Sequence, residues 1–154
     1  MTTETQSMLQ TADTGQRSTG VLPYQFLAAL IRSGEIAADQ PIVSEQVQPA
    51  SLDLRLGPVA YCVQASFLPG PQRTVYERLD TLGPHRVDLT EGALLERGCV
   101  YVVPLLESLA LGPSLSGVAN PKSSTGRIDV FTRLIIDQAA DFDVVTRGYQ
   151  GPLY

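Results

Sequence analysis

Histidine and tryptophan are all but missing from this 154-residue chain, with one of the former and none of the latter, and only two cysteines are present. A single histidine, His85, argues against a Ser-His-Asp apparatus. It lies in Pro84-His85-Arg86-Val87 and reads as an ordinary surface or turn residue. Charge is also sparse: 18% of residues carry it while 44% are hydrophobic, so chain-wide disorder is not expected. Cations are outnumbered, 11 Lys and Arg against 16 Asp and Glu, for a net charge of −5. That balance argues against a nucleic-acid binder but leaves room for a local cationic cluster facing a phosphorylated small molecule. Long apolar runs are absent too. Val100 to Leu106 is too short to span a bilayer and contains Pro104. The start, Met1-Thr2-Thr3-Glu4-Thr5, has neither a basic region nor an apolar stretch behind it, which makes the cytoplasm the expected address. Cys62 and Cys99 lie in separate apolar segments and read as two buried thiols, with a disulfide or a metal pair as the alternative.

What is present fits one domain, a size that buries roughly 70% of its unfolded surface. Residues 1–20 are rich in Thr, Gln, Ser and Gly without apolar periodicity and are expected to form a disordered tail. A helix is predicted from Pro23 to Gly34. There Phe26 with Leu30, and Leu27 with Ile31, share a face, Pro23 suits the first turn and Gly34 the stop. Beyond it the period changes to two. Ser51-Leu52-Asp53-Leu54-Arg55-Leu56 alternates as a half-buried strand does, and Gly57-Pro58 ends it. Further strands are expected at Val59–Leu68, Arg86–Leu89, Cys99–Leu106, Leu115–Ala119 and Val130–Ile136, divided by Pro69-Gly70-Pro71, Gly83-Pro84, Gly112-Pro113 and Asn120-Pro121. One helix followed by many short strands predicts an all-β sandwich or barrel over residues 21–154. Gly148 to Tyr154 reads as a turn entering a new strand, so the chain is expected to be a piece of a longer protein and the barrel incomplete.

Several familiar sites are excluded. Zinc-dependent deaminases need a His-x-Glu and a Pro-Cys-x-x-Cys, and neither is present. Gly117 to Ser123 only partly mimics a P-loop, because Pro121 stands where the glycine before Lys122 is required. Gly112-Pro113-Ser114-Leu115-Ser116 is not a nucleophile elbow.

The segment left is Asn120-Pro121-Lys122-Ser123-Ser124-Thr125-Gly126-Arg127, expected to be a loop between two strands. Two cations, three hydroxyls and a glycine suit phosphate: small side chains admit oxygens to backbone N–H groups, and hydroxyls and cations donate from several directions. A polar surface turn is the plainer explanation of that composition. The order of residues decides between them. Lys122 to Arg127 resembles the Arg-Ser-Ser-x-Ala-Arg motif of the dCTP deaminase branch of the dUTPase-like superfamily. Gln48 to Gly57 resembles that family's early strand with its Asp-x-Arg-Leu-Gly ending, Leu106 to Leu111 its strand and turn before the Ser-Ser motif, and Gly148-Tyr149-Gln150-Gly151 its Gly-Trp-x-Gly. The wording of Ala119 to Arg127 is most similar to the long two-repeat bacterial deaminases, which would make this chain an N-terminal half.

The resemblance implies a distorted, jelly-roll-like dUTPase-like β-barrel with one N-terminal helix. It also implies hydrolytic deamination of dCTP to dUTP and ammonia without zinc, magnesium arriving with the triphosphate, and a homotrimer with shared sites. Lys122, Ser123 and Ser124 would bind phosphate oxygens with Thr125 and Gly126 in the same segment, Ser123 would help hold the attacking water, and Arg127 would steady charge at the reacting centre. Asp143 would contact the deoxyribose, and Tyr154 would lie beside the base through its backbone. The sequence departs from the family at Lys122 (arginine in the family), Gly126 (alanine) and Asp129 (glycine). The family's general-base glutamate would fall just after Tyr154. None of Glu4, Glu35, Glu45, Glu77, Glu91, Glu96 and Glu107 stands in a matching context, and Glu107 reads as structural. Loss of a general base typically costs about 10²–10⁴-fold, so the chain by itself is expected to be nearly inactive. Asp53 is either a polar strand position paired with Arg55 or a turn, or a residue near the phosphates. The competing readings are a dUTP diphosphatase or bifunctional enzyme, and a non-catalytic nucleotide-binding or assembly repeat.

Overall fold

The structure is a computed structural model that describes residues 20–154; apart from Gly20, the tail expected over residues 1–20 lies outside the described residues. The first element is α1 (Tyr24–Ser33), one residue inside the expected bounds. Pro23 is its N-cap in extended conformation, and Gly34 at φ 81° closes it by donating its N–H to the Ile31 carbonyl. Leu27, Leu30 and Ile31 are half-buried, whereas Phe26 is exposed.

The all-β expectation holds in coarse form, as short antiparallel strands with few helices, but no closed barrel is found among the described residues. The strands form three small sheets. In one, β1 (Ile36–Ala38) pairs with β5 (Glu107–Ala110), which pairs with β8 (Gln150–Pro152). In the next, β2 (Val59–Val63) is flanked by β3 (His85–Asp88) and β4 (Val100–Val102). The third joins β6 (Gly117–Val118) to β7 (Val144–Val145).

Two further helices correct the expectation of a single one: α2 (Val75–Leu82) and α3 (Ser123–Arg127). For α2 the physical reason is local. The Thr74 hydroxyl accepts from the Glu77 N–H at 3.1 Å, the Glu77 carboxylate accepts from the Thr74 N–H at 2.7 Å, and Gly83 stops the helix at φ 57°. Val75 and Leu79, one turn apart, are its buried face.

Ser51–Leu56 is not a regular strand. Only isolated bridges form, Val47 to Leu52 and Leu56 to Leu105. Its polarity is also inverted, with Leu54 and Leu56 exposed while Asp53 and Arg55 turn toward polar partners. Of Val130–Ile136 only the end behaves as a strand: Ile135 exchanges both backbone hydrogen bonds with Tyr154, at 2.9 and 3.0 Å. Alternation there divides the core in two. Leu134, Ile136 and Leu153 pack with Leu111, Val145 and Tyr149, whereas Ile135 and Tyr154 pack with Val63, Val75, Leu79 and Val102. The thiols are free but not both buried, Cys62 being half-buried and Cys99 exposed, because Cys99 precedes β4 instead of lying within it.

Candidate functional site

The segment expected as a loop is a single helical turn. Lys122 is the N-cap of α3, and Ser123, Ser124, Thr125, Gly126 and Arg127 are the helix itself. Thr125 fixes the turn: its hydroxyl and its N–H both donate to the Lys122 carbonyl, at 2.6 and 3.0 Å. The chain then reverses through Asp129, a non-glycine residue at φ 61°, as Ile128 and Val130 donate back to the Thr125 carbonyl. A short helix forms here because Ser, Thr and Asn favour helix starts over helix interiors and Pro121 holds the entering chain extended.

Ser123, Ser124 and Arg127 are exposed and make no side-chain hydrogen bond among the described residues. The N–H groups of the first turn are the ones a helix leaves unbonded. Lys122 is different. Its ammonium meets the Asp53 carboxylate at 2.5 Å, although its side chain stays 64% exposed. Asp53 therefore pairs with Lys122 and not with Arg55, which pairs with Glu107 instead. An ammonium has three donors, so two of Lys122's stay available to an anion.

Asp143 closes the excursion that carries α3. Its carbonyl accepts from Ala119 N–H at 2.8 Å, its N–H donates to the Leu134 carbonyl, and its carboxylate accepts from Leu134 N–H at 2.8 Å. Arg133 Nε donates to the other carboxylate oxygen, and the guanidinium stacks on Phe142 at 5.0 Å from the ring centre. This adds a fastening role at φ 64°, where Asp is among the residues that tolerate a left-handed backbone. Tyr154 is buried, its main chain joined to Ile135 and its ring edge-on to Tyr76. Burial pushes its phenol up.

Sequence reasoning read Glu107 as structural, and its surroundings bear that out. Its buried carboxylate accepts from Arg55 N–H and Nε, both at 2.8 Å, and from Gln46 Nε2 at 3.0 Å. What sequence reasoning missed is the link from this cluster to the site. Gln46 accepts from Asp53 N–H and donates to its carbonyl, both at 2.9 Å, which holds Asp53 in front of Lys122. The only signal in the chain is the polar half of the Ser51–Leu56 alternation.

A cleft of about 460 Å³ opens elsewhere, lined by Thr74, Asp137, Gln138 and residues 146–150. It includes the Gly148-Tyr149-Gln150 block but nothing from Lys122–Arg127. The phosphate-suited turn is exposed at Lys122, Ser123, Ser124, Gly126 and Arg127 and contributes nothing to that cleft. Around it, Val118, Ile128, Val130, Phe131 and Val144 are exposed, Phe131 at 87%. No described helix is long and apolar enough to cross a membrane.

Residues 18–154 match the family model of the 2'-deoxycytidine 5'-triphosphate deaminase (DCD) N-terminal domain. The chain is also similar to the crystal structure of 2'-deoxycytidine 5'-triphosphate deaminase from Agrobacterium tumefaciens, at 53% identity and a TM-score of 0.85. That match covers 89% of this chain and 41% of the solved one, so the chain spans about two-fifths of its length. No curated protein matches.

Proposed function

The chain belongs to the family of the 2'-deoxycytidine 5'-triphosphate deaminase N-terminal domain, and from that membership we propose that the protein carrying it hydrolyses dCTP to dUTP and ammonia. The observation that supports this most is the α3 turn, where Ser123, Ser124 and Arg127 keep their donors unspent beside the anchored Lys122.

Lys122, Ser123 and Ser124 bind the triphosphate, each hydrogen bond to a charged oxygen contributing about 1.5–3 kcal/mol. A few of these outweigh the screened repulsion of a net charge of −5. Thr125 spends its hydroxyl on the Lys122 carbonyl and so shapes the turn, and Gly126 leaves open space beside it. Magnesium belongs to the substrate, carried by the triphosphate: hydroxyls and cations are poor ligands for it, and Asp53 is engaged by Lys122.

In the chemical step water attacks C4 of cytosine, with Ser123 helping to hold it. A general base takes the water's two protons in turn, delivering one to N3 and the other to the 4-amino group; the C4–N bond breaks, ammonia leaves and the C4 carbonyl forms. The base is a glutamate acting on a free water, where zinc-dependent deaminases activate a metal-bound one. Glu107 cannot serve, since its oxygens are committed to Arg55 and Gln46. Arg127 steadies the charge that develops. Asp143 borders the deoxyribose, and the Tyr154 carbonyl keeps a second lone pair for the base edge.

The rest of the site comes from a second copy. The exposed apolar residues flanking α3 favour this, in a trimer with shared sites. A cytoplasmic location fits the two free cysteines.

The test is to incubate the protein, extended past Tyr154, with dCTP and magnesium and to separate the products. Equal amounts of dUTP and ammonia are expected. Formation of dUMP and pyrophosphate would replace the reading with a diphosphatase or bifunctional enzyme, and no uracil nucleotide at all would leave a binding or assembly repeat.

A further inference from the structure

We infer that Asp53 is a positioning residue for triphosphate binding: it holds the Lys122 ammonium in place for the phosphates, and it is itself held by the buried Glu107 cluster. The inference rests on the deaminase reading above and adds to it a residue that touches no substrate.

Asp53 is not a mobile surface acid. Its N–H donates to the Gln46 carbonyl and its carbonyl accepts from the Gln46 side chain, both at 2.9 Å. Gln46 is buried and fixed in turn, its Nε2 also donating to Glu107 and its Oε1 accepting from Val43 N–H. Glu107 is 1% exposed and belongs to β5, the central strand of its sheet. It also binds the main chain and the side chain of Arg55, two residues beyond Asp53. A line of contacts therefore runs from the sheet through Glu107 and Gln46 to Asp53, and from Asp53 to Lys122 at 2.5 Å. Lys122 opens α3, so its ammonium is fixed from a frame independent of α3 itself.

The benefit follows from the side chain. A lysine carries four rotatable bonds and much rotamer freedom, and an exposed one loses it when it grips a ligand. Lys122 is 64% exposed yet already tethered, with two donors left for phosphate. The frame orders the side chain before the nucleotide arrives. The alternative is masking, in which Asp53 only cancels a useful positive charge. The two predict opposite signs. Loss of positioning weakens triphosphate binding, whereas loss of masking strengthens it.

The experiment is a double-mutant cycle with D53N and K122Q in the protein extended past Tyr154, with dCTP and deoxycytidine affinities measured by calorimetry and dCTP turnover alongside. The asparagine keeps both backbone bonds to Gln46, and thermal unfolding verifies that the variant folds. D53N is expected to weaken dCTP binding about fivefold, the scale of an exposed ion pair. It should raise KM while leaving kcat nearly unchanged, leave deoxycytidine binding untouched, and add nothing in a K122Q background. Unchanged or tighter dCTP binding, or a D53N effect that persists fully in K122Q, overturns the inference. A wild-type protein that binds dCTP without making dUTP defeats the proposed activity, not the positioning; one that binds no dCTP defeats both.

Discussion

Glu107 is where most of the polar framework converges, and it separates stability from function at the residue scale. Its carboxylate is fully buried and satisfies Arg55 and Gln46 at once. Glu107→Ala leaves Arg55 N–H, Arg55 Nε and Gln46 Nε2 without their acceptor, while the guanidinium keeps the Pro41 and Gln40 carbonyls, and is expected to cost about 1–3 kcal/mol in urea unfolding, as a buried donor left unpaired does. Lys122→Gln breaks an exposed pair and should cost less than about 1 kcal/mol in the same measurement. A second residue sets a pH limit. Burial pushes the Tyr149 phenol up from 10.0 to about 12, while its hydroxyl donates to the Pro152 carbonyl at 2.6 Å. The folded state then holds a proton that the unfolded chain releases above about pH 10. The stabilisation is present in full below that value and is lost between pH 10 and 12. Alkaline unfolding curves should fall across this window, and Tyr149→Phe should make the fall shallower while lowering stability at neutral pH, the buried Tyr154 phenol carrying the remainder. Sequence context alone kept Glu107 out of catalysis. Its partners lie 52 and 61 residues away, a separation no local pattern reveals.

Among the elements, α3 separates chemistry from form: its residues stood out in the sequence as a phosphate-binding candidate, but its helical form did not. Lys122 to Arg127 stands out by chemistry, yet one turn of helix is too short to display a period. Gly126 is helical with open space at its Cβ position. Gly126→Ala, the residue of the resembled family, should therefore stabilise the protein by about 0.5–1 kcal/mol with dCTP affinity preserved. Loss of affinity would mean that phosphate approaches the backbone at this position. The strands were legible where apolar residues run on, as in Val59–Val63 and Val100–Val102. Ile36–Ala38 and Val144–Val145 escaped because two or three residues cannot alternate, whereas Gln150–Pro152 falls where a turn entering a new strand was expected. The inverted Ser51–Leu56 segment escaped for another reason. Periodicity gives a face, and only the location of Glu107 and Gln46 says which face turns inward.

For the whole molecule, the all-β class could be read from turn spacing, whereas the separation into three small sheets could not, since it depends on which distant strands meet. The surface around α3 has the same character. Phe131, at 87% exposure, and the adjoining Ile128, Val130, Val118 and Val144 form an exposed apolar margin to the turn. Phe131→Asp is expected to lower the assembly state in sedimentation and to reduce deamination together, and a wild-type protein that is monomeric at working concentration would refute the shared site. Deamination of dCTP by this family member requires a triphosphate site, which we place at α3. Its most direct test is kcat/KM for dCTP in the protein extended past Tyr154, compared with the same protein carrying Ser124→Ala. The wild type is expected to form dUTP and the variant to lose about 10- to 100-fold, the worth of one hydrogen bond to a charged oxygen. An unchanged kcat/KM, with dUTP still formed, would place the triphosphate elsewhere and contradict that placement.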